Sequence, residues 1–185
     1  MVGKTGLETV RWVDGKNELL LLDQRAIPHR VSYVRCRTYR DVALGIKNMT
    51  VRGAPAIGVA AAFGIALAAV KSQAKTREAL LRDIQRAQSV LSRTRPTAVN
   101  LFWSLERMGK KAEQLEGGPD EIAAGLVEEA KKIMEEDVKV NRMIGRFGSE
   151  LIPDGARVLT HCKWAEAFQL SRMLVPLRPP ATARP

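Results

Sequence analysis

The stretch Ala54–Val70 carries no charge over seventeen residues and is bracketed by Arg52 and Lys71, and no other feature restricts the fold of this chain as strongly. Eight of its residues are Ala, two are Gly and one is Pro, which leaves six large apolar side chains. A membrane span needs ~20 predominantly apolar residues, and alanine adds little transfer free energy, so the segment is short and weak for a bilayer. It reads as a buried helix of a soluble protein.

The segments on either side supply the covering. Residues 9–13, an Asp14-Gly15 turn, residues 18–22 and, after Pro28, residues 31–36 carry strand and turn signals that predict a small antiparallel sheet. From Tyr39 the period changes, and Val42, Ile46 and Met49 predict an amphipathic helix that stops near Thr50. Beyond the apolar run, Leu80, Ile84, Ala87 and Leu91 form one helical stripe. Leu101, Leu105, Met108, Ala112 and Leu115 form a second, and Gly117-Gly118-Pro119 breaks the chain. A last helix from about Asp120 carries Ile122, Leu126, Ala130, Ile133, Val140, Ile144 and Phe147 on one side, with Asp137 within the stripe. That carboxylate is either buried against a partner such as an arginine or marks where the helix turns this side to solvent, and the residues alone favour solvent. Pro153-Asp154-Gly155 signals a turn, and residues 157–160 read as a short strand ending at His161-Cys162. The expected fold is an α+β domain, a small antiparallel sheet plus a helical bundle, over residues 1–150.

Thirty Lys and Arg against twenty Asp and Glu give a formal charge of +10, a field that favours anionic partners. The positive charge is spread rather than clustered, and only nine aromatic side chains are available for stacking, which disfavours nucleic acid as the partner. Cys36 and Cys162 lie far apart behind an N-terminus unlike a secretory leader, so a disulfide scaffold is not expected and a reducing, cytoplasmic setting is the default. With His29 the only histidine besides His161, no metal-ligand set is apparent.

The pattern richest in chemistry is Val51-Arg52-Gly53-Ala54-Pro55-Ala56-Ile57-Gly58. Pro55 suits a first helical turn, where N–H groups point outward without intrahelical partners. An anion fits there, Arg52 adds forked donors, and Gly53 lets the backbone come close. The same grammar recurs at Arg93-Thr94-Arg95-Pro96-Thr97-Ala98-Val99-Asn100, where Pro96 pushes Arg95 out of helical geometry and Thr97 is placed to cap the next helix. Two such junctions suggest one phosphate pocket; two unrelated loop-to-helix junctions with solvated arginines fit the pattern too. Cys162, at the carboxyl end of a strand, stands where ligands gather in open α/β sheets, whereas Cys36 reads as core filler. Unaided, the residues favour a structural role for both thiols.

In order along the chain, seven segments resemble one family. They are Val10-Arg11-Trp12, Leu22-Asp23-Gln24-Arg25, Met49 to Gly58, Arg95-Pro96-Thr97-Ala98-Val99-Asn100-Leu101 with Trp103, Glu136-Asp137 with Asn141, Ile144-Gly145 with Gly148, and Leu159-Thr160-His161-Cys162. The family is that of the methylthioribose-1-phosphate isomerases, within a wider group that holds ribose-1,5-bisphosphate isomerases and the regulatory subunits of translation initiation factor 2B. The Arg-Gly-Ala-Pro-Ala-Ile-Gly and Arg-Pro-Thr-Ala-Val-Asn-Leu segments are most similar to the methylthioribose-phosphate branch.

The resemblance implies an aldose-to-ketose isomerase of methionine salvage that uses no metal or organic cofactor. It assigns substrate binding to Arg52, Gly53, Ala54 and Arg95 and assistance of the transition state to Cys162. It implies a second, Rossmann-like domain beginning at residues 151–162, whose later part carries the acid/base aspartate. After Thr-His-Cys this chain departs from the family, running Lys163-Trp164-Ala165-Glu166 into the proline-rich end Arg178-Pro-Pro-Ala-Thr-Ala-Arg-Pro185. Residues 163–185 are therefore expected to be an aberrant, disordered tail, from a shifted frame or unrelated sequence, on a truncated and poorly active chain. Relatives pair as homodimers, a mode not expected of the truncated form. The other readings are a translation-factor-like regulatory or binding module and a ribose-1,5-bisphosphate isomerase.

Overall fold

The computed structural model describes residues 8–153 and 156. Strands β1 (Val10–Val13), β2 (Glu18–Leu22) and β3 (Tyr33–Cys36) form one antiparallel sheet in the order β1-β2-β3. β1 pairs with β2 from Val10 opposite Leu21 to Val13 opposite Glu18, and β2 pairs with β3 from Leu19 opposite Cys36 to Leu22 opposite Tyr33. The expected Asp14-Gly15 turn is a single 3-10 turn, Asp14–Lys16, closed by Asn17 at φ 48°. Asn tolerates that left-handed conformation better than most residues. The leucine run of β2 suits the middle strand, where Leu19, Leu21 and Leu22 are fully buried. Buried Glu18 begins the strand and is met by Arg37 Nε at 2.9 Å and Arg35 Nη1 at 3.1 Å. β1 and β3 start one and two residues later than the sequence signals suggest.

Helix α1 (Tyr39–Lys47) starts at a capping box: Thr38 Oγ1 accepts from Asp41 N at 3.2 Å, and Asp41 Oδ2 accepts from Thr38 N at 2.9 Å. It ends earlier than the periodicity predicts. Met49, counted in the apolar stripe, lies beyond the helix at φ 64° and is half exposed. Helix α2 (Ala54–Val70) has the expected bounds, and every residue from Ile57 to Ala69 is buried. α3 (Arg77–Ser92), capped by Thr76, buries Leu80, Ile84, Ala87 and Leu91, the four-residue stripe read from the sequence. α4 (Val99–Gln114) buries Leu101, Leu105, Met108 and Ala112, and also Ser104. α5 (Pro119–Glu150) follows Gly117, whose φ of 101° suits glycine alone.

The chain divides into two compact units, one of Thr9–Met134 and one of Met1–Glu8 with Glu135–Pro185. In the first, α2 fills the core, and Phe63 stacks on Trp12 of β1 with ring centroids 5.3 Å apart. The first half of α5 contributes Ile122, Leu126, Ala130 and Ile133 to that core. In the second half the same side faces solvent, as the sequence reading around Asp137 favours, with Val140, Ile144 and Phe147 exposed. Among the described residues no helix is long and apolar enough to cross a membrane. The expected strand at 157–160, His161, Cys162 and the tail at 163–185 lie outside the described residues.

Candidate functional site

The loop that carries Arg52 is fixed on both sides before that residue is reached. Asn48 N donates to Leu44 O at 2.9 Å, ending α1. Its side-chain oxygen then accepts from Thr50 N at 3.0 Å and Thr50 Oγ1 at 2.7 Å, while Met49 takes the left-handed conformation between them. Thr50 is buried, and its carbonyl accepts from Gln24 N at 2.9 Å just past β2. Val51, fully buried, donates its N–H to Gly45 O at 3.2 Å. A Cβ at Gly45 would stand 2.8 Å from Leu21 Cδ1, so glycine is what lets α1 approach the sheet here.

Arg52, Gly53 and Ala54 follow as an exposed run at the mouth of α2. Gly53 is the N-cap at φ 88°, and Ile57 N donates the first helical bond to Gly53 O at 3.0 Å. The N–H groups of Ala54 and Ala56 precede that donor, and Pro55 has none to satisfy. No side chain caps this end, and its first turn holds no acidic residue.

The second junction has the same character. Ala98 is the N-cap of α4, again with no side-chain cap and no acidic residue in the first turn. Ala98 N donates to Arg95 O at 3.0 Å, folding the half-buried Arg95 against the start of the helix. The expected capping by Thr97 is not observed: Thr97 is exposed and one residue too early, because the turn after Pro96 runs through it.

The two helix beginnings are brought together at Gly58. A Cβ there would lie 2.8 Å from Ser104 Oγ and 2.9 Å from Asn100 O, so α2 and α4 touch backbone to side chain. At 1.5 Å rise per residue, that contact is about 6 Å along the axis from Ala54 and about 2 Å from Val99. The early turns of α2 and α4 therefore lie against each other. Each carries roughly half a positive charge in uncapped N–H groups, so the arrangement suits a doubly charged oxyanion.

Other titratable groups stand apart from this chemistry. Burial, helped by the Asp41 charge, pushes the thiol of the fully buried Cys36 up to about 12, which keeps it protonated and fits a packing role. Asp137 is half-buried, and Asn141 Nδ2 donates to its Oδ1 at 3.1 Å and to its carbonyl at 2.9 Å. Farther along α4, an open cleft of about 390 Å³ is bordered by Trp103, Arg107 and Lys111 and by Glu129 of α5. Arg107 pairs with Glu129 at 2.7 Å, which spends much of that positive charge inside the protein. Among the described residues no group of three or more His, Cys, Asp or Glu side chains could hold a metal ion.

Sequence reasoning missed Gln24, Asn48 and Thr50 as the residues that pin the Arg52 loop. The Asn-x-Thr spacing was a usable signal for an Asx-type turn, but the Gln24 contact is a backbone bond that no side-chain pattern announces.

The Initiation factor 2 subunit family matches residues 50–176. Methylthioribose-1-phosphate isomerase of Desulforudis audaxviator is 49% identical over 156 residues, 84% of this chain and 44% of that protein. Methylthioribose-1-phosphate isomerase 1 of Pseudothermotoga lettingae is 48% identical over 154 residues, again covered to 44%. Among solved structures, 5-methylthioribose 1-phosphate isomerase from Pyrococcus horikoshii OT3 aligns with a TM-score of 0.75 at 45% identity, over 80% of this chain and 41% of that one. Subunit delta of the translation initiation factor eIF-2B from A. fulgidus aligns with a TM-score of 0.73 at 40% identity, over 80% and 43%. The chain spans less than half the length of these relatives. Since the family match takes in more than half of its residues, the chain belongs to the initiation factor 2 subunit family.

Proposed function

We propose that this chain is the sugar-phosphate-holding N-terminal portion of a methylthioribose-1-phosphate isomerase. Arg52, Gly53 and Ala54 at the start of α2 and Arg95 ahead of α4 would grip the phosphate. The observation that supports this reading is the contact at Gly58, which sets the early turns of two helices with uncapped N-termini against each other. The backbone amides would supply directed donors and the guanidiniums full charges.

The chemistry explains why firm holding is needed. Phosphate on the anomeric oxygen blocks free ring opening, so isomerisation must break the bond between C1 and the ring oxygen while the C2 hydrogen moves to C1. The 2-hydroxyl becomes the ketone, and its proton ends on the ring oxygen. Anchoring the phosphate fixes C1 and C2 for that transfer, and positioning of this kind accounts for a large share of such rate gains. Cys162 is proposed to assist at the reacting carbons, and residues 151–162 to open a Rossmann-like second domain. No metal or organic cofactor enters the proposal, and the setting is cytoplasmic. The 185-residue chain by itself is expected to bind the sugar phosphate with little turnover.

Calorimetric titration with methylthioribose-1-phosphate tests the proposal, comparing the chain with its Arg52→Ala and Arg95→Ala variants. A charge-assisted hydrogen bond is worth ~1.5–3 kcal/mol, so each variant should weaken binding about ten- to a hundredfold. Absence of binding, or binding untouched by both substitutions, would refute it. The likeness to an eIF-2B delta subunit at 40% identity favours a second reading, a regulatory binding module. Capture of a translation-factor complex, insensitive to Arg52→Ala, would support that reading instead.

A further inference from the structure

We propose that Asn48 and Thr50 are positioning residues of the anion site, which set its affinity by holding the Arg52 loop in its binding shape before a ligand arrives. The inference rests on the sugar-phosphate reading of that loop. Every polar group of Thr50 is engaged. Asn48 Oδ1 accepts from the Thr50 N–H at 3.0 Å and from Thr50 Oγ1 at 2.7 Å, and the Thr50 carbonyl accepts from Gln24 N at 2.9 Å. The next residue is tied as well, because Val51 N donates to Gly45 O at 3.2 Å. Thr50 and Val51 are buried, and Arg52 then emerges exposed from a backbone fixed to α1 on one side and to the segment after β2 on the other. At 1% exposure Thr50 is out of reach of any ligand, so its effect on binding runs through the loop.

The backbone between the two residues shows what the clamp works against. Met49 stands at φ 64°, a left-handed conformation unfavourable for a residue with a Cβ, and its half-exposed side chain does not hold it there by packing. The two bonds to Asn48 Oδ1 span Met49 and impose the turn. Strain of this kind persists only where the surroundings over-determine it, and it has a use beside a binding site. Gly53 supplies the need. It lies at φ 88° with open space where a Cβ would stand and with no side-chain cap, so it has no side-chain restraint of its own. The direction of its backbone is inherited from the anchored Thr50 and Val51 before it and from α2 after it. A loop already in its bound shape loses less conformational entropy when the anion binds, which raises affinity without any new contact.

Calorimetric titration of the full 185-residue chain with methylthioribose-1-phosphate at low and high salt tests it, on Asn48→Ala, Thr50→Val, Thr50→Ser and Arg52→Ala. One net intramolecular hydrogen bond changes an equilibrium about three- to tenfold. Thr50→Val, which loses the hydroxyl bond alone, should therefore weaken binding about threefold or more, and Asn48→Ala, which loses both bonds, about tenfold or more. Thr50→Ser keeps the hydroxyl and should bind as wild type does. The loss in Asn48→Ala and Thr50→Val should appear in the binding entropy and persist at high salt, whereas the loss in Arg52→Ala, a removed charge, should shrink as salt rises. A clamp with a structural role alone would lower the urea midpoint and leave affinity unchanged. If Asn48→Ala does not fold, the comparison of Thr50→Val with Thr50→Ser decides. Wild-type affinity in Thr50→Val, or equal weakening in Thr50→Ser, overturns the inference while a weakened Arg52→Ala leaves the sugar-phosphate reading standing. Binding untouched by both Arg52→Ala and Arg95→Ala strikes that reading, and the inference with it.

Discussion

Gly58→Ala is the sharpest perturbation of the contact between α2 and α4. In an open helix it would be stabilising, since Ala exceeds Gly in helix propensity by ~1 kcal/mol. Here the new methyl group would stand 2.8 Å from Ser104 Oγ and 2.9 Å from Asn100 O. Two contacts below 3.0 Å force something to move, and the carbonyl belongs to the first turn of α4, which cannot swing aside like a side-chain tip. Overpacking of this kind costs ~1–3 kcal/mol, which leaves a net loss of about 1 kcal/mol once propensity is credited. Urea denaturation of wild type and variant measures the loss directly. Ser104→Ala supplies an internal control, because the serine hydroxyl is buried without a partner and half of the clash disappears with it. The double variant should therefore recover at least ~0.5 kcal/mol relative to the sum of the singles. A Gly58→Ala protein about 1 kcal/mol more stable than wild type, as propensity alone requires, would refute the close approach of the two helices.

The core makes a second claim. Phe63→Ala should cost ~3–5 kcal/mol and abolish the near-ultraviolet circular dichroism that Trp12 owes to its stacked partner; a milder loss would contradict full burial of Phe63. Glu18, whose carboxyl is held below the usual carboxylate range chiefly by the Arg37 hydrogen bond, adds stability that is present above the ordinary glutamate pKa and lost as the pH falls through its lowered value. Glu18→Gln should flatten that acid limb of the unfolding curve, and an unchanged limb would sink the assignment. The Cys36 thiol, raised to about 12 by burial, should resist a thiol reagent in a Cys162→Ala background until the protein unfolds. Its raised pKa also means that stability declines as alkaline pH ionises the unfolded thiol first, and rapid labelling of the folded protein at neutral pH would contradict the burial.

The helical half of this fold was legible because its side chains obey one period. Leu80, Ile84, Ala87 and Leu91 could be read as a face, and the bounds of α2 follow from Gly53-Ala54-Pro55 at one end and Lys71 at the other. Met49 misled, while the stripe from Val140 onward turned to solvent as favoured. Apolar spacing says which residues lie on one line, but not whether the backbone is still helical there or whether another element covers the line. At Met49 the hydrogen bonds of Asn48 to Thr50 turn the backbone left-handed. Thr97 misled differently: a capping residue type stood near a helix start, but the turn after Pro96 put Ala98 at the cap. The arginines of the candidate site were visible as residues flanking helix beginnings. What their recurrence could not supply is the contact of Gly58 with Asn100, two positions far apart in sequence that only packing unites.

The central claim is that the beginnings of α2 and α4 serve a single anion. Amide NMR of the labelled chain titrated with methylthioribose-1-phosphate addresses this residue by residue. Resonances of Gly53, Ala54 and Ala56 should shift together with those of Val99 and Asn100, with one shared midpoint and one ligand per chain. A response confined to one helix start, or two separate midpoints, would contradict the account.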